Sequence, residues 1–145
     1  MMGPPMAGTS LSVGVDLVEL ERLRRALERH GERFLARVYT PEEAARFGRY
    51  LPELAARFAA KEAVSKALGV GMRLLSASGI GWHDVAVLPD PRGKPLLYLS
   101  GRARALAEEQ GLTRWAVSLT HGRDYALAFV VATYLRENRE APVAL

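Results

Sequence analysis

The feature that most restricts the fold is the longest apolar run of the sequence, residues 125–135, which contains one polar residue, Thr133. The run is too short to cross the hydrocarbon core of a bilayer, which needs roughly 20 residues. From Ala126 to Ala132 both faces of an extended chain are apolar, and such a strand is expected to be covered on both sides. The run therefore predicts a central strand of a sheet or a strand at a contact between subunits.

The rest of the 145-residue chain carries short strand and helix patterns with no internal repeat or low-complexity linker. A chain of this length commonly forms one domain and buries about 68–70% of its unfolded surface. We therefore predict a single α+β domain, with an antiparallel-type sheet packed with a few helices. The domain is expected to span residues 10–136, with flexible segments at residues 1–9 and 137–145.

Cap and turn residues set the predicted boundaries. Thr40, Pro41 and Glu43 form an N-terminal helix signature, and glycines such as Gly31 and Gly69 end helices. Helices are predicted over residues 17–30, 41–50, 53–68 and 101–110, and strands over residues 10–15, 84–88, 95–99, 115–119 and 125–135.

The net charge of +4 comes almost wholly from arginine, because Lys61, Lys66 and Lys94 are the only lysines. The planar guanidinium suits phosphate and carboxylate groups, so the composition indicates an anionic partner. Nucleic acid is the rival partner, but the helix predicted over residues 17–30 carries no aromatic side chain for base stacking. We expect no nucleic acid.

The chain contains no cysteine, which excludes disulfides, thiolate metal sites and a thiol nucleophile. Any metal must be held by oxygen or imidazole ligands. No basic region precedes an apolar stretch at the start of the sequence, so we expect a cytoplasmic protein with no membrane partner.

Three polar residues are candidates for chemistry, and each has an ordinary structural interpretation. Asp16 and Glu19 have the spacing of a helix cap, and Glu62 and Lys66 have that of a surface i, i+4 ion pair. Phe58, Glu62 and Lys66 follow one another at intervals of one helical turn and so form a stripe along one face. Small alanines surround this stripe, which leaves room for a bulky ligand. This context favours a binding site.

Two blocks make the sequence recognisable. The segment 14–20 followed by Arg22, and the segment 57–69 that reads RFAAKEAVSKALG, resemble the signature motifs of the holo-acyl-carrier-protein synthases. These are small bacterial 4'-phosphopantetheinyl transferases. Further segments at 34–43, 93–95 and 117–121 are similar to the family in the same order, so the resemblance extends from Ser12 to about Leu135.

The resemblance implies an enzyme that transfers 4'-phosphopantetheine from coenzyme A to a serine of apo acyl carrier protein, in support of fatty acid synthesis. The products are the holo carrier and adenosine 3',5'-bisphosphate. Asp16 and Glu62 would bind Mg²⁺, although Mn²⁺ accepts the same oxygen ligands. Lys66 would reach the phosphates and stabilise or protonate the leaving group. The serine proton would pass to a metal-held water or to a nearby carboxylate.

The family also implies where the two substrates bind. The residues expected to contact coenzyme A are Arg57, Lys61, Lys66, Gly71, Lys94, Pro95, Ser118 and His121. The coenzyme would lie between neighbouring subunits of a homotrimer. Arg22, Arg25 and Arg29 share the exposed face of the first helix and would dock the acidic carrier protein, with a solvated helix face as the alternative.

Val70 departs from the family, in which threonine is common at this place, so a hydroxyl contact to the coenzyme is not expected there. A relative that keeps the fold without the chemistry is the remaining alternative. The presence of Asp16, Glu62 and Lys66 together argues against it.

Overall fold

A computed structural model describes residues 11–73 and 77–134. The predicted segments 1–9 and 137–145, and the ends of two predicted strands at Ser10 and Leu135, lie outside the described residues. The strands are β1 (Leu11–Glu19), β2 (Val85–Pro89), β3 (Pro95–Leu99), β4 (Arg114–His121) and β5 (Tyr125–Thr133). The helices are α1 (Leu20–Val38), α2 (Pro41–Phe47), α3 (Leu51–Leu68) and α4 (Gly101–Glu109).

The fold is α+β, as predicted, with two antiparallel sheets. The larger sheet has the order β1-β5-β4, and β2 pairs with β3 in a separate hairpin. Helix α3 packs against the inner face of the larger sheet and supplies much of the core through its alanines. Among the described residues no helix is both long and apolar enough to cross a membrane.

Strand β5 is central, as the apolar run predicts, but this chain covers only one of its faces. Ala126, Ala128 and Val130 are fully buried beneath α3. Tyr125 and Phe129 alternate with them and remain exposed on the outer face. One chain therefore covers one face of β5, and cover of the other face by a neighbouring subunit stays a prediction.

The first helix differs most from its prediction. Residues 17–19 continue β1, because Leu17 pairs with Leu127 and Val18 with Ala126. Helical geometry is interrupted at Gly31, as predicted, where φ is 49° and ψ is −127°, but the chain resumes a helix and reaches Val38. Glycine permits this kink because it has no Cβ to clash at positive φ.

The other boundaries moved by a few residues. Helix α2 ends at Phe47 and α3 begins at Leu51, while strand β2 is preceded by a short 3₁₀ turn, Trp82–Asp84. The predicted capping box is confirmed: Thr40 Oγ1 accepts from the Glu43 amide, and the Glu43 side chain accepts from the Thr40 amide. Gly69 ends α3 in the left-handed conformation, at φ 76°.

Candidate functional site

Asp16 and Glu62 are brought to one cleft by the contact between β1 and α3. Asp16 lies within β1, on the same face as Gly14 and Val18, and that face packs on α3. A Cβ on Gly14 would overlap the carbonyl oxygen of Ala63, so only glycine lets the strand come this close to the helix. The cap interpretation of Asp16 is wrong, since the helix begins after Glu19 and has no side-chain cap.

The cleft has a volume of about 650 Å³ and opens between β1, α1 and α3. Its polar wall carries the carboxylates of Asp16, Glu19 and Glu62 and one guanidinium, and its apolar wall carries aliphatic and aromatic groups. The lining includes Asp16, Arg22, Leu23, Phe34, Phe58 and Glu62. The Phe58 to Glu62 stripe expected from the sequence therefore faces a cavity large enough for part of a substrate.

Lys66 joins this site from the last turn of α3. Its Nζ donates to Asp16 Oδ1 at 2.9 Å and to the backbone oxygen of Val15 at 3.0 Å. The Lys66 side chain is 53% exposed, and that of Asp16 is 17% exposed. The predicted i, i+4 partner of Lys66 was Glu62, but the contacting carboxylate is that of Asp16.

Burial raises the pKa of the Glu62 carboxyl, and the negative charge of Asp16 raises it further. The positive charges of Lys66 and Arg22 act in the opposite direction. Two carboxylates that repel each other in a partly buried cleft gain from a shared cation. The described residues contain no group of three or more His, Cys, Asp or Glu side chains suited to a metal. An oxygen pair completed by phosphate and water fits Mg²⁺, which seldom uses an all-protein cage.

The arginine face of α1 continues directly from the cleft. Arg22, Arg25 and Arg29 are exposed and line a second concavity of about 530 Å³, and Arg22 lines both cavities. Glu21 reduces the excess of positive charge there, because it lies 3.6 Å from Arg25 Nε. Glu19 lines the same concavity, so two acidic residues lie among its arginines.

Arg57 and His121 meet at the opposite end of α3, around Glu53. Arg57 is buried, donates to Glu53 Oε2 at 2.6 Å and to the Val87 carbonyl at 2.9 Å, and stacks over the Phe47 ring. His121 Nε2 lies 3.9 Å from Glu53 Oε1. Residues 53 and 66 are about 20 Å apart along the helix axis at 1.5 Å per residue. One chain therefore does not bring this cluster to Asp16.

The other predicted coenzyme contacts are also distributed. Ser118 pairs with Phe129 and so faces the outer side of the sheet, away from Asp16. Lys94 and Pro95 lie at the hairpin turn, where Lys94 is exposed. Gly71 has φ 72° in the loop after α3, and a side chain there would meet open space.

Lys61 is not at the cleft, which corrects its place among the coenzyme contacts. Its side chain is fully buried, and its Nζ donates to Glu43 Oε1 at 2.7 Å, to the Trp82 carbonyl at 2.9 Å and to the Val85 carbonyl. All three ammonium protons are thus used inside the core, and none is left for a phosphate.

Glu43 is the important residue whose full role the sequence did not reveal. Its buried carboxylate accepts from Lys61, from the Thr40 amide and, through Oε2, from the Val87 amide at 3.0 Å. The capping signature identified only the bond to Thr40. The sequence carried only a weak indication that Lys61 is buried away from Glu62. Neighbouring positions on a helix point in different directions, so Lys61 and Glu62 cannot both face the cleft.

Comparison with known proteins gives consistent relatives. A family profile described as the 4'-phosphopantetheinyl transferase superfamily matches residues 12–130. A holo-acyl-carrier-protein synthase from Herpetosiphon aurantiacus is 47% identical over 123 residues, which cover 83% of this chain and 97% of that protein.

Two crystal structures are similar in fold as well. The holo-acyl-carrier-protein synthase of Neisseria meningitidis has a TM-score of 0.74 and 37% identity, over 83% of this chain and 96% of that one. The Helicobacter pylori synthase in complex with coenzyme A has a TM-score of 0.74 and 28% identity, over 83% of this chain and 99% of that one.

Proposed function

The chain belongs to the 4'-phosphopantetheinyl transferase superfamily, and we propose that its reaction takes place in the cleft between Asp16 and Glu62. It is a holo-acyl-carrier-protein synthase, which transfers 4'-phosphopantetheine from coenzyme A to a serine of apo acyl carrier protein. The observation that supports this location is that Asp16 and Glu62 line one cleft of about 650 Å³ and that Lys66 bonds Asp16.

Asp16 and Glu62 are the proposed holders of Mg²⁺. When bound, the ion would neutralise charge on the phosphate oxygens of the coenzyme as its pyrophosphate bond breaks. The protein contributes a partly buried pair of carboxylates, in which burial and then the charge of Asp16 raise the pKa of Glu62, and such a pair favours a cation.

Lys66 is the proposed electrophilic residue. Its side chain is half exposed beside Asp16, so the ammonium can reach a phosphate without first leaving the core. There it stabilises or protonates adenosine 3',5'-bisphosphate as that group departs. The nucleophile is the serine of the carrier, whose proton passes to a water or a carboxylate in the cleft.

The predicted coenzyme contacts lie in separate places on one chain, which supports a coenzyme site shared between subunits. Asp16 and Ser118 lie on opposite faces of the sheet, and the cluster of Arg57 and His121 lies at the far end of α3. A neighbouring subunit is the simplest source of the contacts that one chain cannot supply. We accordingly retain Arg57, Gly71, Lys94, Pro95, Ser118 and His121 as proposed coenzyme contacts.

The outer face of the β1-β5-β4 sheet supports the proposed homotrimer. Its exposed large apolar side chains include Leu11, Val13, Val15, Leu17 and Phe129. A contiguous apolar patch of this kind is typical of an oligomer contact. Light scattering on the purified protein is expected to give three times the chain mass, and a monomer at micromolar concentration would refute the assembly.

The exposed arginines of α1 are the proposed docking surface for the acidic carrier. Their concavity adjoins the cleft, so a carrier seated there presents its serine close to Glu62. Exposed charges mainly increase the association rate. Reversing Arg25 and Arg29 to glutamate is expected to slow modification of the carrier and to leave coenzyme A binding unchanged. Equal loss of both would contradict the assignment. Arg22 is tested separately, because it also lines the cleft.

The reaction and its site are tested together by intact mass. The protein is incubated with coenzyme A, Mg²⁺ and apo acyl carrier protein, and the carrier is expected to gain one phosphopantetheine. The gain should disappear with EDTA and in the Asp16→Ala and Glu62→Ala variants, while Glu108→Ala, an exposed carboxylate elsewhere, should retain it. Full activity of Asp16→Ala would move the metal site away from this cleft.

The expected cytoplasmic location belongs to the same proposal and is tested by cell fractionation.

A further inference from the structure

The ion pair between Lys66 and Asp16 occupies an oxygen that the proposed function needs for a metal. Lys66 Nζ donates to Asp16 Oδ1 and to the carbonyl oxygen of Val15, at 2.9 and 3.0 Å. The same ammonium partly opposes the rise that burial and Asp16 cause in the pKa of the Glu62 carboxyl, so its charge acts on both proposed metal ligands. The lysine thus provides positive charge to both carboxylates.

Oxygen ligands of this kind bind either an ammonium or a small cation well, but not both in the same place. A divalent ion on Asp16 would meet the Lys66 charge at close range, and like charges at a few ångströms repel strongly in a partly buried cleft. Lys66 can leave, because its side chain is 53% exposed and its four-carbon stem is flexible. Asp16 is held by β1 and cannot follow it.

We propose that Lys66 and the divalent cation compete for Asp16, so that cation binding releases the Lys66 ammonium towards the substrate phosphates. This inference rests on the proposed function, since it takes Asp16 and Glu62 as the metal ligands. It assigns Lys66 two successive partners, a carboxylate before the cation binds and a phosphate afterwards. Metal binding and the positioning of Lys66 are then one coupled event.

The first test measures Mn²⁺ binding without coenzyme A, by the electron paramagnetic resonance signal of the free ion. Lys66→Met is expected to bind Mn²⁺ about fivefold more tightly than the wild type, because the competing charge is removed. Lys66→Arg keeps the charge and should bind as the wild type does. Arg104→Met is the matched control, since it removes a charge of similar exposure from the distant pair with Glu108.

The second test uses the small number of lysines. Lys61, Lys66 and Lys94 are the only three in the chain, so amine modification followed by peptide mass spectrometry reports each separately. Mn²⁺ is expected to increase the labelling rate of Lys66 about two- to fivefold, as the reciprocal of the first effect. Lys94, which is exposed in the hairpin turn, should be unchanged, and buried Lys61 should remain unlabelled.

The outcomes separate this inference from the proposed function. If Asp16→Asn weakens Mn²⁺ binding but Lys66→Met leaves it unchanged or weaker, the competition is overturned and the metal pair stands. If Asp16→Asn binds Mn²⁺ like the wild type, the metal pair itself is wrong and the inference fails with it. Tighter binding by Lys66→Met, together with faster labelling of Lys66, supports the competition.

Discussion

Helix α3 carries two lysines that each bond a carboxylate of another element, and their surroundings are opposite. The pair of Lys61 with Glu43 is fully buried and bonded on every side. The pair of Lys66 with Asp16 lies at the mouth of a cleft, with half of the lysine exposed. The same chemical pair thus holds the core together on one side of the helix and remains free to exchange partners on the other.

Burial accounts for the difference. Removing charges from water is costly, so a buried pair is kept only where other hydrogen bonds satisfy both partners, as they do around Lys61. Burial also lowers the pKa of Lys61, although the charge of Glu43 opposes that shift. An exposed pair is screened by water and contributes little to folding. Lys66 can therefore be selected for reactivity without loss of stability.

The largest expected effect comes from breaking the buried pair. Lys61→Met leaves the Glu43 carboxylate in the core without its counter-ion, and the free energy of unfolding should fall by about 3–5 kcal/mol. Urea denaturation measures this loss. The double variant Lys61→Met with Glu43→Leu should recover much of it, because no buried charge then remains. A single variant within about 1 kcal/mol of the wild type would show that the pair is not structural.

The second effect tests the close contact that places Asp16. Gly14→Ala puts a methyl group against the Ala63 carbonyl and must move β1 away from α3. We expect a loss of about 1–3 kcal/mol in the free energy of unfolding and about a 100-fold loss of transfer activity, since the carboxylates separate. Gly122→Ala is the control, because a Cβ there meets open space. Equal activity of the two variants would contradict the positioning role.

The third effect concerns Lys66, where we expect the opposite of Lys61→Met: little loss of stability and a large loss of activity. Lys66→Met should change the free energy of unfolding by less than about 1 kcal/mol and reduce transfer activity about 100-fold, because the phosphates lose a charged donor. Urea denaturation and the carrier mass assay measure the two quantities on one preparation. Arg104→Met should alter neither beyond experimental scatter. A large stability loss in Lys66→Met would remove the distinction between the two pairs.

The smallest effect concerns Glu62 and pH. Because the folded state raises the pKa of this carboxyl above its ordinary value of 4.5, folding favours the protonated form. That contribution is present at low pH and is lost as the pH rises through the folded pKa. With EDTA present, Glu62→Gln should therefore raise the Tm by about 1–2 °C at neutral pH.

The Tm difference should vanish below about pH 4, where the wild-type carboxyl is also protonated. Asp90→Asn is a control, since Asp90 lies in the hairpin turn and should not reproduce this pH-dependent pattern. If Glu62→Gln were less stable than the wild type at neutral pH, the raised pKa of Glu62 in the folded state would be contradicted.

Local signals predicted much of the fold. The capping box at Thr40, the helix end at Gly69 and the two short strands on either side of Asp90 depend on residues close in sequence, and each was found in its place. The end of β1 was missed because pairing with β5 is non-local. Leu17 and Val18 suit either a helix or a strand, and tertiary pairing decided for the strand.

The candidate site was predictable to a similar degree. Convergence of Asp16 and Glu62 followed from the family resemblance, and both line one cleft in the structure. The burial of Lys61 could not be predicted, because its partners come from α2 and from the chain around β2, up to 24 residues away. Nothing local distinguishes this lysine from Lys66.

The buried charges along β2 have a further consequence. On the side of β2 away from β3, the Val85 carbonyl and both backbone groups of Val87 are bonded by the side chains of Lys61, Glu43 and Arg57. An open strand edge is a template for pairing with another molecule, and this one is closed without a further strand. Variants that release these side chains should therefore aggregate through strand addition even where much of the fold survives.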